Sequence, residues 1–143
     1  MRYRAMRADD FDAALGLWRR CEGVGLRDSD SPVGIATYLQ RNPGLSFVAE
    51  REQRIVGSVL AGHDGRRGYL QHLAVAPEHR RQGIGSELLA RCLAALAAEG
   101  VGKVHVHVFG DNRAGREFWD RRGWQQRDEI QVYSWINGDN RNI

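Results

Sequence analysis

The stretch Arg80-Arg81-Gln82-Gly83-Ile84-Gly85 combines residue types and a spacing that suit the binding of an anion. Two glycines two positions apart let the backbone approach a ligand with no side chain in the way. An apolar residue then recurs at every fourth position, at Ile84, Leu88, Cys92 and Leu96, which predicts a helix with one buried face. The first amides of a helix have no acceptor within it and lie at the positive end of its dipole. The stretch therefore predicts a cradle for phosphate oxygens, with Arg80 and Arg81 at its rim.

Two common phosphate motifs are excluded here. No Gly-Lys-Ser/Thr follows the turn, so it is not a Walker loop, and Leu88 stands where the dinucleotide fingerprint needs its third glycine. The alternative reading is an ordinary solvated basic turn before a helix. The turn itself is predicted between a strand at 69–75, which ends before Pro77, and a helix at 86–99, which ends at Gly100.

The N-terminal part of the chain predicts a strand, two helices and a hairpin. The strand covers 1–6, and Asp9 or Asp10 would cap the first helix. A polar loop follows, and a second short helix has Ser31 as its cap and Pro32 at its first position. The hairpin would pair strands at 45–50 and 55–62.

The C-terminal part predicts a strand, a helix and two more strands. The strand is 103–109, where His105 and His107 share one face, and they read as a polar sheet face rather than metal ligands because no third ligand lies nearby. Asp111 and Asn112 would cap a helix over 113–122 that ends at Gly123. Two strand-like pieces follow within 125–136, and then a polar, frayed tail over 137–143.

At this point a family resemblance becomes specific. The run from Leu73 to Leu89, with Arg80-x-x-Gly83-x-Gly85 at its centre, resembles the acetyl-coenzyme A motif of the GNAT superfamily of N-acetyltransferases. Downstream, Asn112, Trp119 and Gly123-Trp124 resemble the family's asparagine, aromatic and Gly-Phe pattern at matching spacing. The resemblance implies an α+β GNAT fold, with a mixed, mostly antiparallel sheet whose splayed central strands are flanked by helices.

The same resemblance implies which residues contact acetyl-coenzyme A, the expected co-substrate. Strand backbone would pair with the pantetheine arm, the turn would hold the pyrophosphate, and residues of the last helix would complete the contact. The residues implied are Leu73, Ala74, Val75, Arg80, Arg81, Gln82, Gly83, Ile84, Gly85, Ser86, Asn112 and Trp119. No metal ligand is expected.

The catalytic groups are where this chain departs from the family. The family's usual general acid, a tyrosine seven residues after the asparagine, is replaced by Trp119, and an indole N–H is too weak an acid to protonate a thiolate usefully. Either water or Tyr133 would then supply that proton, or protonation of the thiolate would not limit the rate. Tyr69 occupies the position of the strand base found in some members, and Glu50 and His63 are alternatives. Strand alternation points His72 to the opposite face from Tyr69, so His72 is not expected to be the base.

The acceptor side of the family fold lies between the first two helices. By resemblance the acidic residues there, Glu22, Asp28 and Asp30, would attract a cationic amine; the alternative is that each is only a solvated loop charge or a helix cap. Neither Cys21 nor Cys92 has metal or disulfide spacing, and both are expected to be reduced core residues.

Length and composition limit the number of domains and the kinds of partner that the chain can have. A chain of 143 residues predicts one domain, covering 1–143. The charge of +3 comes mostly from scattered arginines, so nucleic acid is not an expected partner. No apolar run is long enough for a bilayer and none forms a signal peptide, which predicts a cytoplasmic protein without a membrane partner. A homodimer is left open.

The sequence thus favours an N-acetyltransferase that moves an acetyl group from acetyl-coenzyme A to a primary amine, on a small molecule or a peptide N-terminus, by direct attack. The alternative is a module of the same fold that binds acyl-coenzyme A without turnover. The acceptor itself does not show in the sequence.

Overall fold

The structure is a computed structural model that describes residues 1–138. The chain divides into two compact units, Met1–His107 and Val108–Ile143. The first holds the sheet and three helices, and the second holds one helix and the segment after it.

The first unit follows the predicted order of elements. Its strands are β1 (Arg2–Ala5), β2 (Phe47–Arg51), β3 (Arg54–His63), β4 (Gly68–Val75) and β5 (Val104–Val106), and its helices are α1 (Phe11–Arg19), α2 (Pro32–Arg41) and α3 (Ile84–Ala98). Two single 3-10 turns, Ala8–Asp10 and Pro77–His79, precede α1 and α3. The predicted cap of α2 is confirmed, because the Ser31 hydroxyl accepts a hydrogen bond from the Gly34 amide at 2.9 Å.

The five strands lie in the order β1-β2-β3-β4-β5. The first four pair antiparallel, and β5 pairs with β4 in parallel. The sheet is therefore mixed and mostly antiparallel, as expected. The hairpin between β2 and β3 turns at Glu52 and Gln53, whose φ angles of 52° and 64° are those of a tight primed turn.

Helices cover both faces of the sheet. On one face, the side chains of Ile84 and Leu88 from α3 lie so close to Gly57 of β3 that a Cβ there would be 2.9 Å from the first and 3.0 Å from the second. On the other face, Trp18 of α1 donates a hydrogen bond from its indole nitrogen to the hydroxyl of Ser58 at 2.9 Å. Because neighbouring residues of a strand point to opposite faces, α1 and α3 lie on opposite sides.

β4 is interrupted by a bulge that the sequence does not reveal. Ser58 pairs with Ala74 and Leu60 pairs with Gln71, so that Val59 alone faces His72 and Leu73. His72 has a φ of 51°, in the left-handed region. A bulge of this kind adds a residue and bends the strand, and it breaks the alternation on which the predicted direction of the His72 side chain depended.

β5 is shorter than the predicted strand at 103–109. Its ladder with β4 begins at Gly68 and Val104 and ends at Leu70 and Val106. The pairing stops just before the bulge, because the bent strand no longer runs parallel to its neighbour. Within the part of the chain that is described, residues 71–75 of β4 thus have no strand partner on the β5 side.

The second unit is built around α4 (Arg113–Arg121). As predicted, Asn112 caps it by accepting a hydrogen bond from the Gly115 amide at 3.0 Å, and Gly123 ends it with a φ of 78°. The two strands predicted within 125–136 are wrong, since all of those residues are described and none is in a strand. Alternation alone does not make a strand, because a strand exists only through pairing with another. Of the polar tail predicted at 137–143, residues 139–143 lie outside the described residues.

No helix among residues 1–138 is long and apolar enough to cross a membrane. The core of the first unit is instead formed by medium-sized apolar side chains from both helical faces and the sheet. Trp18, Leu60, Leu70, Leu88 and Leu96 are among the largest that are fully buried.

Candidate functional site

The turn before α3 has the backbone form that an anion site needs. Arg81 and Gly83 have left-handed φ angles of 63° and 79°, and Gln82 between them does not. Backbones that alternate in this way turn successive N–H groups toward one point. The first bond inside α3 runs from the Glu87 amide to the Gly83 carbonyl at 3.0 Å, so the amides of Gly83, Ile84 and Gly85 have no acceptor within the helix. The backbone geometry that the predicted cradle requires is therefore present, and the binding of phosphate there stays a prediction.

Gly83 also leaves room for a ligand. A Cβ built on it would meet no other atom within 4 Å, and Arg80, Arg81 and Gln82 beside it are exposed. The glycine is thus not needed for packing within the protein. Its two properties, the left-handed backbone and the open space, both fit a bound phosphate group.

The turn folds back on the end of β4. The Arg80 side chain donates a hydrogen bond from Nε to the carbonyl of Val75 at 3.1 Å, and the Cys21 thiol donates to the same carbonyl at 3.5 Å. Leu73, Ala74 and Val75 follow the bulge, in the part of β4 that has lost its β5 partner. The structure thus brings the strand residues and the turn residues of the predicted site together within the first unit. It also gives Arg80 a contact that the sequence did not indicate.

A histidine and an aspartate form a largely buried pair at the bulge of β4. The Nε2 atom of His72 lies 2.8 Å from an oxygen of Asp30, and their side chains are only 12% and 8% exposed. The ring of Trp18 packs against the His72 ring at 4.7 Å. The carbonyl of His72 accepts a hydrogen bond from the Ser58 hydroxyl at 3.1 Å. The pair therefore joins the loop before α2 to the bulge in β4.

The charge of Asp30 is stabilised where it lies. Burial acts to raise the pKa of its carboxyl group, but the hydrogen bonds from the His72 ring and from the Arg27 amide outweigh that effect and hold the pKa below its usual value. The Arg27 amide donates at 2.8 Å. Asp30 is thus an ionised, engaged carboxylate and not the free loop charge that the sequence suggested, whereas Glu22 and Asp28 are exposed.

Tyr69, the expected strand base, lies at the start of β4 beside β5. It is half-buried, and its ring lies 5.7 Å from that of its pairing partner His105. The alternative base Glu50 is engaged in an ion pair with Arg4. The other alternative, His63, pairs with Glu99 at 2.9 Å and lies opposite Gly68, at the far end of the sheet from Val75.

Asn112, Trp119 and Tyr133 belong to the second unit. The side-chain oxygen of Asn112 is the cap of α4. Trp119 is buried, with its ring 4.4 Å from that of Trp124 and 5.0 Å from that of Phe118. Tyr133 is 93% exposed. Trp119 therefore packs in an aromatic cluster, as a core residue does.

His72 is a residue that the sequence had not led us to expect on the α1 face or in contact with Asp30. It was set aside because regular alternation would point it away from Tyr69, and the bulge removes that regularity. A bulge leaves no reliable mark in one sequence. Among residues 1–138 no cluster of three His, Cys, Asp or Glu side chains could hold a metal ion.

Two relatives are similar to the chain over almost its whole length. Acetyltransferase ECA0875 of Pectobacterium atrosepticum is 42% identical over 133 residues, which cover 92% of this chain and 93% of the relative. Acetyltransferase SG1711 of Sodalis glossinidius is 35% identical over 131 residues, or 91% of each chain. A predicted acetyltransferase from Clostridium acetobutylicum, solved with acetyl-CoA, has a similar fold, with a TM-score of 0.72 at 18% identity over 93% of this chain and 95% of that one.

The sequence model of the Acetyltransferase (GNAT) family matches residues 11–124, which include the turn, the bulge and α4. The expected resemblance, the expected fold and the expectation of an acyltransferase enzyme are thereby confirmed. The chain belongs to the acetyltransferase (GNAT) family.

Proposed function

We propose that the chain transfers an acetyl group from acetyl-coenzyme A to a primary amine, on a small molecule or a peptide N-terminus, by direct attack. The observation that carries the proposal is the turn of free amides at Arg81 and Gly83, which lies beside the end of β4 that has no strand on its β5 side. A turn of amides suits a pyrophosphate, and a strand edge without a partner suits an amide-bearing arm. Coenzyme A contains both groups.

Acetyl-coenzyme A as co-substrate is supported from two sides. One is the family match together with the Clostridium acetobutylicum structure, which was solved with acetyl-CoA. The other is the fit of this chain's own residues. The amides of Gly83, Ile84 and Gly85 would take the phosphates, and the backbone of Leu73 and Val75 would pair with the pantetheine arm. Asn112 and Trp119 are further candidates in the second unit.

The reaction needs a neutral amine, donors for the oxyanion and a proton for the departing thiolate. Backbone amides of β4 after the bulge are candidate donors. Tyr69 remains a candidate for passing a proton through water. The indole of Trp119 is a donor only, so its role would be to pack beside the pantetheine end and not to act as an acid.

The family match spans both compact units, which supports a single functional domain over 1–143. The relatives that carry the name acetyltransferase favour turnover over a module that only binds acyl-coenzyme A. The proposal that the acceptor is a primary amine rests only on the chemistry of the reaction, in which an amine nitrogen attacks the thioester.

The test is calorimetric titration with acetyl-coenzyme A, followed by a thiol-release assay with three amine probes. We would use a plain alkylamine, an arylethylamine and a tripeptide with a free N-terminus. We expect saturable binding and thiol release with at least one probe. Binding with no release on any probe would contradict transfer to amines of these classes, and no binding would contradict the co-substrate as well.

A further inference from the structure

We propose that His72 is the base that removes a proton from the acceptor amine, and that Asp30 is the positioning residue that fixes its tautomer. The inference rests on the proposed acetyl transfer and names a residue that the sequence had set aside. It follows from the geometry at the bulge of β4.

The tautomer follows from the contact with the carboxylate. The hydrogen bonds that Asp30 accepts hold the pKa of its carboxyl group below the usual value, so the group is ionised at neutral pH. An ionised carboxylate can only accept hydrogen bonds. The nitrogen that faces it at 2.8 Å, Nε2, must therefore carry a hydrogen. In a neutral imidazole the other nitrogen, Nδ1, then has the free electron pair. No hydrogen bond from any residue in the described part of the chain reaches Nδ1, so it is the nitrogen that can take a proton.

The ring is held firmly in this orientation. Trp18 packs against it at 4.7 Å and is itself fixed by its hydrogen bond to Ser58. Ser58 also donates to the His72 carbonyl at 3.1 Å, which stabilises the left-handed backbone. A strained backbone conformation persists only where its surroundings hold it. Several contacts here converge on one residue, and the bulge is what presents its ring to Asp30.

The position of His72 suits contact with an acceptor. It immediately precedes Leu73 to Val75, the part of β4 that has no strand on its β5 side and that is proposed to hold the pantetheine arm. Its ring lies on the α1 face of the sheet, opposite α3. The helix end that would bind the phosphates belongs to α3, so an acceptor can approach the thioester from the α1 face without competing with them.

The charged and titratable groups around the ring come from two elements. The loop before α2 contributes Asp30, with Arg27 behind it. α1 contributes the indole of Trp18, which does not titrate. The segment just after α1 contributes the Cys21 thiol, which donates a hydrogen bond to the Val75 carbonyl. The Asp30 carboxylate is the charge that contacts the ring, and it stabilises the protonated ring that forms when the amine is deprotonated.

The proton and electron balance closes without another reactant. An ammonium group gives one proton to Nδ1 of His72 and becomes a neutral amine. The amine nitrogen attacks the thioester carbon, so that a C–N bond forms and the C–S bond breaks. The nitrogen loses a second proton as the amide forms. Of the two protons released, one converts the coenzyme A thiolate to a thiol and the other passes to solvent.

A purely structural His72–Asp30 pair would have the same tautomer, so the test needs one readout for this premise and a second, turnover, that a structural pair would not affect. The first is the tautomer of His72, measured by nitrogen-15 NMR of the labelled protein at neutral pH. We expect hydrogen on Nε2 in the native protein. In Asp30→Asn the amide NH₂ can donate to Nε2 instead, and the Nε2–H form should lose its dominance. A native Nδ1–H tautomer would overturn the proposal.

The second readout is turnover with the amine probes named above. We expect His72→Gln, which can still donate to Asp30, to lower kcat by about 10²–10⁴-fold, with unchanged acetyl-coenzyme A binding. The pH dependence of kcat should change in this variant, because removal of the proton from the ammonium then falls to water and to the ionisation of the amine itself. A kcat within threefold of the native value, with the same pH profile, would overturn the proposal.

His107→Gln is the control, because it removes another histidine, which is exposed and lies just after the end of β5. It should leave both kcat and the pH profile unchanged. The two proposals fail in different ways. Absence of acetyl-coenzyme A binding by the native protein contradicts the proposed function, whereas the tautomer needs no acceptor and judges His72 alone.

Discussion

Arg4 is a buried cation that bridges two carboxylates from different segments. Its side chain is 13% exposed, and it contacts both oxygens of Asp10 at 2.7 and 2.8 Å as well as an oxygen of Glu50. Burial alone would favour the neutral form of Asp10, but the hydrogen bonds from Arg4 and from the Arg7 amide keep the pKa of Asp10 below its usual value. Glu50 therefore serves as a partner of Arg4 in the folded protein.

Arg4→Met should destabilise the protein by about 3–5 kcal/mol, because it leaves two largely buried carboxylates without their cation. Urea unfolding measures the effect. Arg7→Met is the control, since the Arg7–Asp9 pair is exposed on both sides and its loss should change stability by only about 0.5 kcal/mol. Equal effects in the two variants would show that burial of the Arg4 cluster is not what matters.

Trp119→Tyr tests the residue that stands where the family has its tyrosine. We expect turnover to be retained or raised, because the change supplies a hydroxyl at that position. We also expect a loss of stability of about 1–3 kcal/mol, because a smaller ring leaves a void beside Trp124. Steady-state kinetics and thermal unfolding measure the two effects. A large fall in kcat in a folded variant would mean that Trp119 has a catalytic role of its own.

At the scale of elements, the turn before α3 and the end of the same helix offer a matched pair of glycines. Gly83 and Gly100 have φ angles of 79° and 86°, and a Cβ on either would meet nothing within 4 Å. Alanine at either position should cost about 1–2 kcal/mol, since L residues are strained in the left-handed region.

Only Gly83→Ala should weaken acetyl-coenzyme A binding, by at least about tenfold, because its methyl group would project where the phosphates are proposed to lie. Gly100→Ala shares the backbone strain but lies at the other end of the helix, so it should bind as the native protein does. Calorimetry on both variants is the measurement. Equal affinities would remove the argument for the cradle.

Most elements followed from sequence because their signals are local. The Ser31 cap, the Gly123 stop and the apolar repeat of α3 each depend on residues close in the chain. The predictions that failed all concern how one strand pairs with another. The β4 bulge, the shortened β5 and the absence of strands within 125–136 depend on what another segment offers, which periodicity does not contain. The direction predicted for the His72 side chain was wrong for the same reason.

At the scale of the whole molecule, two engaged aspartates should shape the response to acid. The pKa values of Asp10 and Asp30 are both lowered in the folded state. A lowered folded pKa gives stability above the unfolded pKa of about 4, and this stability is lost as pH falls through the folded value.

The melting temperature should therefore be steady near neutral pH and should fall below about pH 4. Asp30→Asn should be destabilised relative to the native protein at pH 7, and the difference should shrink at pH 3, where the native carboxylate is being neutralised as well. Thermal unfolding of both proteins across this range is the measurement. A difference that grows toward low pH would have the wrong sign and would contradict the charge state assigned to Asp30.

The central claim, that the chain uses acetyl-coenzyme A through the cradle before α3, is tested most directly by calorimetric titration of the native protein with acetyl-coenzyme A, with thiol release measured alongside. The account predicts saturable binding that Gly83→Ala weakens and Gly100→Ala does not, together with thiol release in the presence of an amine. Absence of binding to the folded native protein would contradict the account at its base.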